Sequence, residues 1–567
     1  MSSTLRRIRI CVPLAIAFWA FTAARPSAQS TIQHVLLISI DGMHVLDYNN
    51  CVAAGTCPTL KLLGQTGMNY KHTSASKPSD SFPGLTALVT GGTPTSTGVY
   101  YDVAYDRLLS PPAETTGNGL IGAPNLCQDN KITGTSTEYE EGVDIDQSQL
   151  GGGFPYPNPL DGDYRSIKPS RLPRDPLAHC AAVYPWNFIR TNTIYGVIHA
   201  NHLRTAWSDK HAVYASVSGP TGTNTPDNLD DYYSPDVNSD IEPLPIHTAT
   251  GDNCNSPDAF GGDWTGSFQN IRCYDQLKVN AVVNWINGKT HLGDHDAAVP
   301  NIFGMNFQAV SVGQKLIENR STGRVFGGYT DAAGTPTTSM LAEIEFVDAA
   351  IGQMVTALQS HPGLYESTAI IITAKHGQSP VDPNLFFPIP GHSGLNGTPP
   401  SSLLGPAFLP DSEINQIGPT EDDISLLWLT DSGQTTAAVD ILKTNAEAAE
   451  ADQILSGKSL AKMFDRPGVP ADGGDPRTPD IIVQPEVGTV YTGSLKKQAE
   501  HGGFAPNDVE VMVLVSNPNI QAKTIGTPVE TRQVAPTILS LLGLDPNSLD
   551  AVRLEGTTVL PGIKFKP

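Results

Sequence analysis

Four short segments of this chain set residues of catalytic type beside glycines. In HVLLISIDGMH an apolar run stops at Asp41 and Gly42. A carboxylate beyond the carboxyl end of a strand in an open α/β sheet is placed to hold a cation, although Asp-Gly is also the commonest way to end a strand in a turn. In KPSDSFPGLTALVTGG the Ser81 hydroxyl precedes Pro83, Gly84 and a helix-like run from Leu85 to Val89. A hydroxyl at a helix N-terminus meets free N–H groups and the positive dipole end, which suits a phosphate or a developing alkoxide. The plainer account is that Ser79, Asp80 or Ser81 caps the helix. In TAIIITAKHGQSP an apolar strand delivers Lys375 and His376 into a turn, and EHGG carries His501. Either histidine alone would ordinarily be structural.

The elements that must position these residues are legible as patterns. Apolar strand-like runs recur at His34 to Ile40, Arg204 to Trp207, Asn301 to Phe307, Thr368 to Ala374 and Val509 to Val515. Helical segments lie between them, as in Ser339 to Leu358, where Leu341, Ile344, Val347, Ile351, Met354 and Leu358 share one stripe. Strands alternating with helices predict an α/β fold, a layered α/β/α sandwich with a mostly parallel central sheet. Tracts near 105–185, 215–275 and 385–422 are rich in Pro, Gly, Asp and Asn and poor in apolar period, and read as loop-rich insertions into one domain spanning 29–567.

A 567-residue chain with 39% hydrophobic residues can bury a sizeable core. Its formal charge of -22 disfavours gripping nucleic acid, since counterion release needs basic patches, so no nucleic-acid binding is expected. Arg6, Arg7 and Arg9, an apolar run from Ile10 to Ala24 and small residues ending at Ala28 read as a signal peptide over 1–28, and hence as a secreted or periplasmic protein. A retained anchor is the lesser reading, because Pro13 interrupts the run and it is short for a bilayer span. No later stretch is long and apolar enough to cross a membrane. Removing that segment takes Cys11 and leaves Cys51, Cys57, Cys127, Cys180, Cys254 and Cys273, an even set for an oxidising compartment. Neighbour pairing is the simplest of about fifteen connectivities, among which the sequence does not choose.

Taken in order, ISIDG at Asp41, SFPG at Ser81, AKHG at His376 and EHGG at His501 resemble the alkaline-phosphatase superfamily, specifically its type I phosphodiesterase and nucleotide pyrophosphatase branch. RTPDI at Arg477 to Ile481 and QVAPTILSLLGL at Gln533 to Leu544 support the match, which spans nearly the whole chain after the leader. The resemblance implies a phosphoric ester hydrolase with a Thr or Ser nucleophile, a covalent phospho-enzyme and two zinc ions. Carried over by position, Ser81 is the nucleophile and a metal ligand, Asp41 and His376 are ligands of the metal that activates it, and His501 is a ligand of the other. Zinc suits such a donor set. The implied partner is a small-molecule phosphate ester or phosphodiester.

The sequence departs from that pattern at three ligands. Lys375 stands where Asp-His-Gly has its carboxylate, and after Asn301 to Phe307 an Asp with a His four residues later is missing, Gln308 and Gln314 lying in the stretch NFQAVSVGQK. A protonated lysine cannot ligate a metal. Its single positive charge equals that of Zn2+ with one carboxylate, and at ~4 Å and an effective dielectric of about 20 it is worth roughly 4 kcal/mol to a phosphoryl oxygen. Lys375 is therefore a catalytic candidate as well as a candidate solvated charge, and the number of metals, one or two, is open. Asp209 and His211, in WSDKHAVY, and Gln308 are substrate-binding candidates, although a plain turn with solvated charges is the simpler account of the first two. His44, Asn306 and Asp331 are weaker ones. A sulfatase is disfavoured because Ser81 begins S-F-P-G-L, without the Arg that formylglycine maturation expects. A different class remains: an extracellular binding protein that keeps the fold without turnover.

Overall fold

The computed structural model describes residues 32–114, 127–139, 163–237, 246–254, 264–390, 397–410 and 419–566. The segment read as a leader lies outside the described residues, as do parts of the three tracts read as insertions.

The architecture follows from a period-two apolar pattern buried on both faces. Strand β1 (His34–Ile40) sends Leu36, Ile38 and Ile40 into one hydrophobic cluster and Val35 and Leu37 into another. A strand covered on both faces must be central, and each fully buried Leu or Ile contributes roughly 1.5–3 kcal/mol. The first cluster is closed by helices α3 (Phe268–Ile286), α4 (Ala309–Lys315) and α5 (Thr338–Ser360), through residues such as Leu277, Val310 and Ile344. The second is closed by α2 (Ser81–Thr90) and α6 (Val534–Leu541), through Leu85 and Ile538. A short helix, α1 (Val45–Ala54), follows β1. The result is a three-layer α/β/α arrangement, as the sequence pattern predicts.

The sheet contains β2 (Met68–Tyr70), β3 (Ala206–Ser208), β4 (Asp231–Tyr233), β5 (Ile302–Phe307), β6 (Thr368–Thr373), β11 (Val513–Ser516) and β12 (Lys523–Ile525) beside β1, in the order β12-β2-β11-β6-β1-β5-β3-β4. Strands β6, β1, β5, β3 and β4 run parallel, and β11 is antiparallel to both of its neighbours. A second, four-stranded antiparallel sheet joins β7 (Thr420–Glu421), β8 (Ser425–Leu427), β9 (Ala451–Ser456) and β10 (Ile481–Pro485), with small cores of its own on its two faces. Arg477 ties this unit to the first half of the chain. Its Nε donates to Asp106 Oδ2 at 2.7 Å, and its guanidinium lies 3.6 Å from the Phe188 ring centroid.

The strand expected over Val509 to Val515 starts later, at Val513, because Pro506–Val509 forms a helical turn. The strand expected over Arg204 to Trp207 is shifted to Ala206–Ser208. Three disulfides join Cys51 to Cys57, Cys127 to Cys180 and Cys254 to Cys273, which is the neighbour pairing. Among the described residues no helix is long and apolar enough to cross a membrane.

Register between β1 and β5 depends on one glycine. Gly304 pairs with Leu37, and a methyl group on Gly304 would drive into the Leu37 carbonyl oxygen. Backbone cannot yield as a side chain can, so Gly304→Ala should lower the stability measured by urea unfolding by about 3 kcal/mol or more.

Candidate active site

Three parallel strands end together and set the floor of the site. Ser39 of β1 lies level with Asn306 of β5 and Thr373 of β6. Two residues farther on, Asp41, Gln308 and Lys375 leave the same edge of the sheet. Gly42 makes the turn after Asp41 at φ +79°, a left-handed conformation that glycine adopts without strain.

The nucleophile candidate enters from the neighbouring layer. Asp80 is the N-cap of α2 and accepts from the Phe82 amide at 3.1 Å, so the cap reading holds for Asp80 and frees Ser81 to stand in the first turn. Gly84 lets this turn lie directly on the strand end: a side chain there would strike the Lys375 carbonyl oxygen. That contact explains the glycine of SFPG and brings Ser81 to His376. Ser81 Oγ is 3.2 Å from His376 Nε2, 3.5 Å from Asp41 Oδ2 and 3.2 Å from Lys210 Nζ.

Each remaining group is fixed by named partners. His376 Nδ1 lies 2.7 Å from the Gly377 carbonyl, which can only accept, so Nδ1 carries a proton and Nε2 faces Ser81. Burial lowers the His376 pKa against the pull of Asp41, favouring the neutral ring whose Nε2 accepts. Asp41 Oδ2 accepts from Gln308 at 2.6 Å and Asn306 at 3.1 Å, and lies 3.3 Å from Lys375 Nζ. Burial opposes the charge of Asp41, but Lys375 and His376 together outweigh it and hold the carboxyl well below the usual range. Lys375 is fully buried, is 3.5 Å from Asp209 Oδ1, and has its ammonium 4.5 Å from the Tyr214 ring centroid. Its reading as a solvated charge is excluded. Burial, then the neighbouring Lys375, pushes Lys210 down to about 7. His501 stacks at a tilt on His376, ring centroids 4.1 Å apart, and faces Asp80 Oδ1 at 3.5 Å. Burial and His376 hold its pKa well below the ordinary value.

Asp41, Ser81, Lys375, His376, Asp209 and Gln308 thus meet in one polar network, with His501 reached through His376. His211 is engaged elsewhere, bonding Asp236 at 3.0 Å. Gln314 donates to the Gly42 carbonyl and to Tyr329, beside the His44–Asp47 pair, so it braces the turn after Asp41. Asp331 closes an exposed turn through the Ala333 and Thr335 amides. One residue that sequence reasoning passed over is Lys210. The available signal was its place one residue beyond Asp209, two past the end of β3.

The donor set tests the implied zinc pair. The 3.2, 3.5 and 3.7 Å separations among Ser81 Oγ, His376 Nε2 and Asp41 Oδ2 approximate the edge of a tetrahedron with ~2 Å bonds. The charges around that triangle do not suit an ion. A metal bonded to those atoms would lie within about 5 Å of both ammoniums, each repelling a divalent charge by roughly 6–7 kcal/mol at an effective dielectric of about 20. The second ion would have only His501 of its implied ligands. Among the described residues no cluster of three or more His, Cys, Asp or Glu side chains could hold a metal. These residues do not fit a zinc pair.

Comparison with known proteins agrees with this fold. The mouse ectonucleotide pyrophosphatase/phosphodiesterase 5 structure is similar with a TM-score of 0.52 at 14% identity, over 91% of this chain and 96% of that one, and an inactive variant of it in complex with AMP gives the same values. The human ectonucleotide pyrophosphatase/phosphodiesterase 5 structure has a TM-score of 0.50 at 12% identity, over 90% and 95% of the two chains. No curated protein matches at the level of sequence. Residues 35–506 match the type I phosphodiesterase / nucleotide pyrophosphatase family, and with that span the chain belongs to it.

Proposed function

We propose that this protein is an exported phosphodiesterase that hydrolyses small phosphate esters through Ser81, on a site reduced from the two-zinc pattern. The observation that carries the reading is the 3.2 Å approach of Ser81 Oγ to a His376 nitrogen whose partner nitrogen is committed to a carbonyl. Export is supported by the three disulfides and the leader-like N-terminus. Asp209 positions Lys375, and Gln308 positions Asp41; their part in substrate binding runs through those contacts. His211, read from sequence as a substrate contact, serves as a brace through Asp236.

The chemistry follows from the geometry. Ser81 Oγ forms the bond to phosphorus as its proton passes to His376 Nε2. The phosphorus–oxygen bond to the leaving alcohol breaks on the opposite face, and that oxygen takes a proton from water. The hydroxide so produced attacks the phosphoserine, and Ser81 leaves with the proton held by His376. Lys375 supplies positive charge to the phosphoryl oxygens, and Lys210, its pKa pushed down to about 7, adds its own while protonated.

Hydrolysis of bis(p-nitrophenyl) phosphate, followed as nitrophenol release, tests the reading. Ser81→Ala should reduce the rate by about 10,000-fold or more. Equal rates in the two proteins would remove Ser81 as nucleophile, and no turnover by either would favour a binding protein with this fold. Lys375→Ala, in protein shown folded by circular dichroism, should lose at least about 100-fold in kcat; unchanged turnover would remove lysine from the mechanism.

A further inference from the structure

Among the described residues the buried lysines are Lys210, Lys278 and Lys375, and all three converge on the strand ends around Asp41. Lys375 and Lys210 reach the two oxygens that an activating metal would bind, Asp41 Oδ2 at 3.3 Å and Ser81 Oγ at 3.2 Å. Lys278 works one layer back, from α3. Its ammonium donates to the Asn306 carbonyl at 2.5 Å and pairs with Asp275 at 2.9 Å. Asp275 in turn accepts the Gln308 and Ala309 amides, both at 2.8 Å. That clamp fixes the segment carrying Asn306 and Gln308, the two side-chain amides that donate to Asp41 Oδ2. Three ammoniums and two amides therefore contact or position the atoms left by the missing ligands.

We infer that the site turns over without a divalent ion, Lys210 and Lys375 supplying the charge at the nucleophile and Lys278, through Asp275, holding the amide pair on Asp41. Lys210 and Lys375 are catalytic residues; Lys278 and Asp275 are positioning residues. This rests on the phosphodiesterase reading above. Lysine brings what a metal brings to the phosphoryl oxygens, positive charge in a water-poor site, and it brings it already placed by the fold. A lysine also carries no open coordination position, so substrate oxygens are met by N–H donors.

The whole chain, purified without added metal and dialysed against EDTA and then 1,10-phenanthroline, is assayed with bis(p-nitrophenyl) phosphate while metal content is measured by mass spectrometry. The inference expects activity within about twofold of the undialysed protein. Zinc titrated calorimetrically into wild type should give no stoichiometric binding, whereas Lys375→Asp, which adds a carboxylate to the Asp41, Ser81 and His376 triangle, should bind it. Lys210→Met should lose about 100-fold in kcat, with Lys210→Arg recovering part of it; Lys278→Met should lower kcat while leaving KM nearly unchanged. Activity lost on chelation and restored by zinc overturns the inference and leaves the phosphodiesterase reading standing. Absence of activity in every form, with zinc or without, overturns both.

Discussion

A carboxylate buried at the end of a central strand must be met by positive charge or by donors, and the catalytic half of this molecule is organised around how Asp41 is met. Removing such a group from water costs several kcal/mol unless its partners are close and well placed. Here Asp41 Oδ2 has two side-chain amides and an ammonium on it, with the Ser81 hydroxyl at 3.5 Å. The two amides come from the end of β5, the ammonium from the end of β6 and the hydroxyl from α2. Withdrawing one leaves the remaining charge uncompensated, so the group behaves as a unit.

Parallel register is what makes so dense a convergence attainable. Strands β5, β1 and β6 pair in phase, and residues of equal distance past their ends fall on one line, giving Gln308, Asp41 and Lys375 side by side. The nucleophile then has to approach from outside the sheet, and the absent side chain of Gly84 sets how near α2 can come. A second anchor lies behind: the Asp508 carbonyl accepts both the Ser79 hydroxyl and the Gly377 amide, tying the run before Ser81 to the run after His376. Gly84 and Gly377 therefore reflect close packing of backbone on backbone, whereas Gly42 and Gly502 take up left-handed turns.

Much of this is legible from sequence, for identifiable reasons. β1 and α5 carry unbroken apolar periods, and the structure places them at His34–Ile40 and Thr338–Ser360. Asp41 and His376 follow strand ends and Ser81 opens a helix, which makes those three legible, whereas His501 lies outside any strand or helix and is carried by the EHGG motif alone. Lys210 could not be weighed properly, since a lysine in a turn is ordinarily solvated and only the depth of the site shows that this one is buried. Lys278 was equally silent: it is one polar residue on the 19-residue helix α3, and its significance depends on Asp275, one turn earlier on that helix, and on a strand end contributed from elsewhere. Non-local pairing of charges leaves no period and no spacing to read.

The same pairing explains why a lysine-built site and a two-metal site are separated by more than one substitution. Placing a carboxylate at position 375 completes a ligand set around Ser81, yet Lys210 and the Lys278–Asp275 clamp would still surround it with the charge pattern of the lysine design. Restoring a second ion would further require ligands where Gln308 now bonds Asp41 and Gln314 braces the Gly42 turn. Because these groups share partners, their effects cannot add independently. A site with only one lysine exchanged would keep the desolvation cost of both designs and the full compensation of neither, so the lysines, the amides and the glutamines form one alternative solution to burying Asp41 beside a nucleophile.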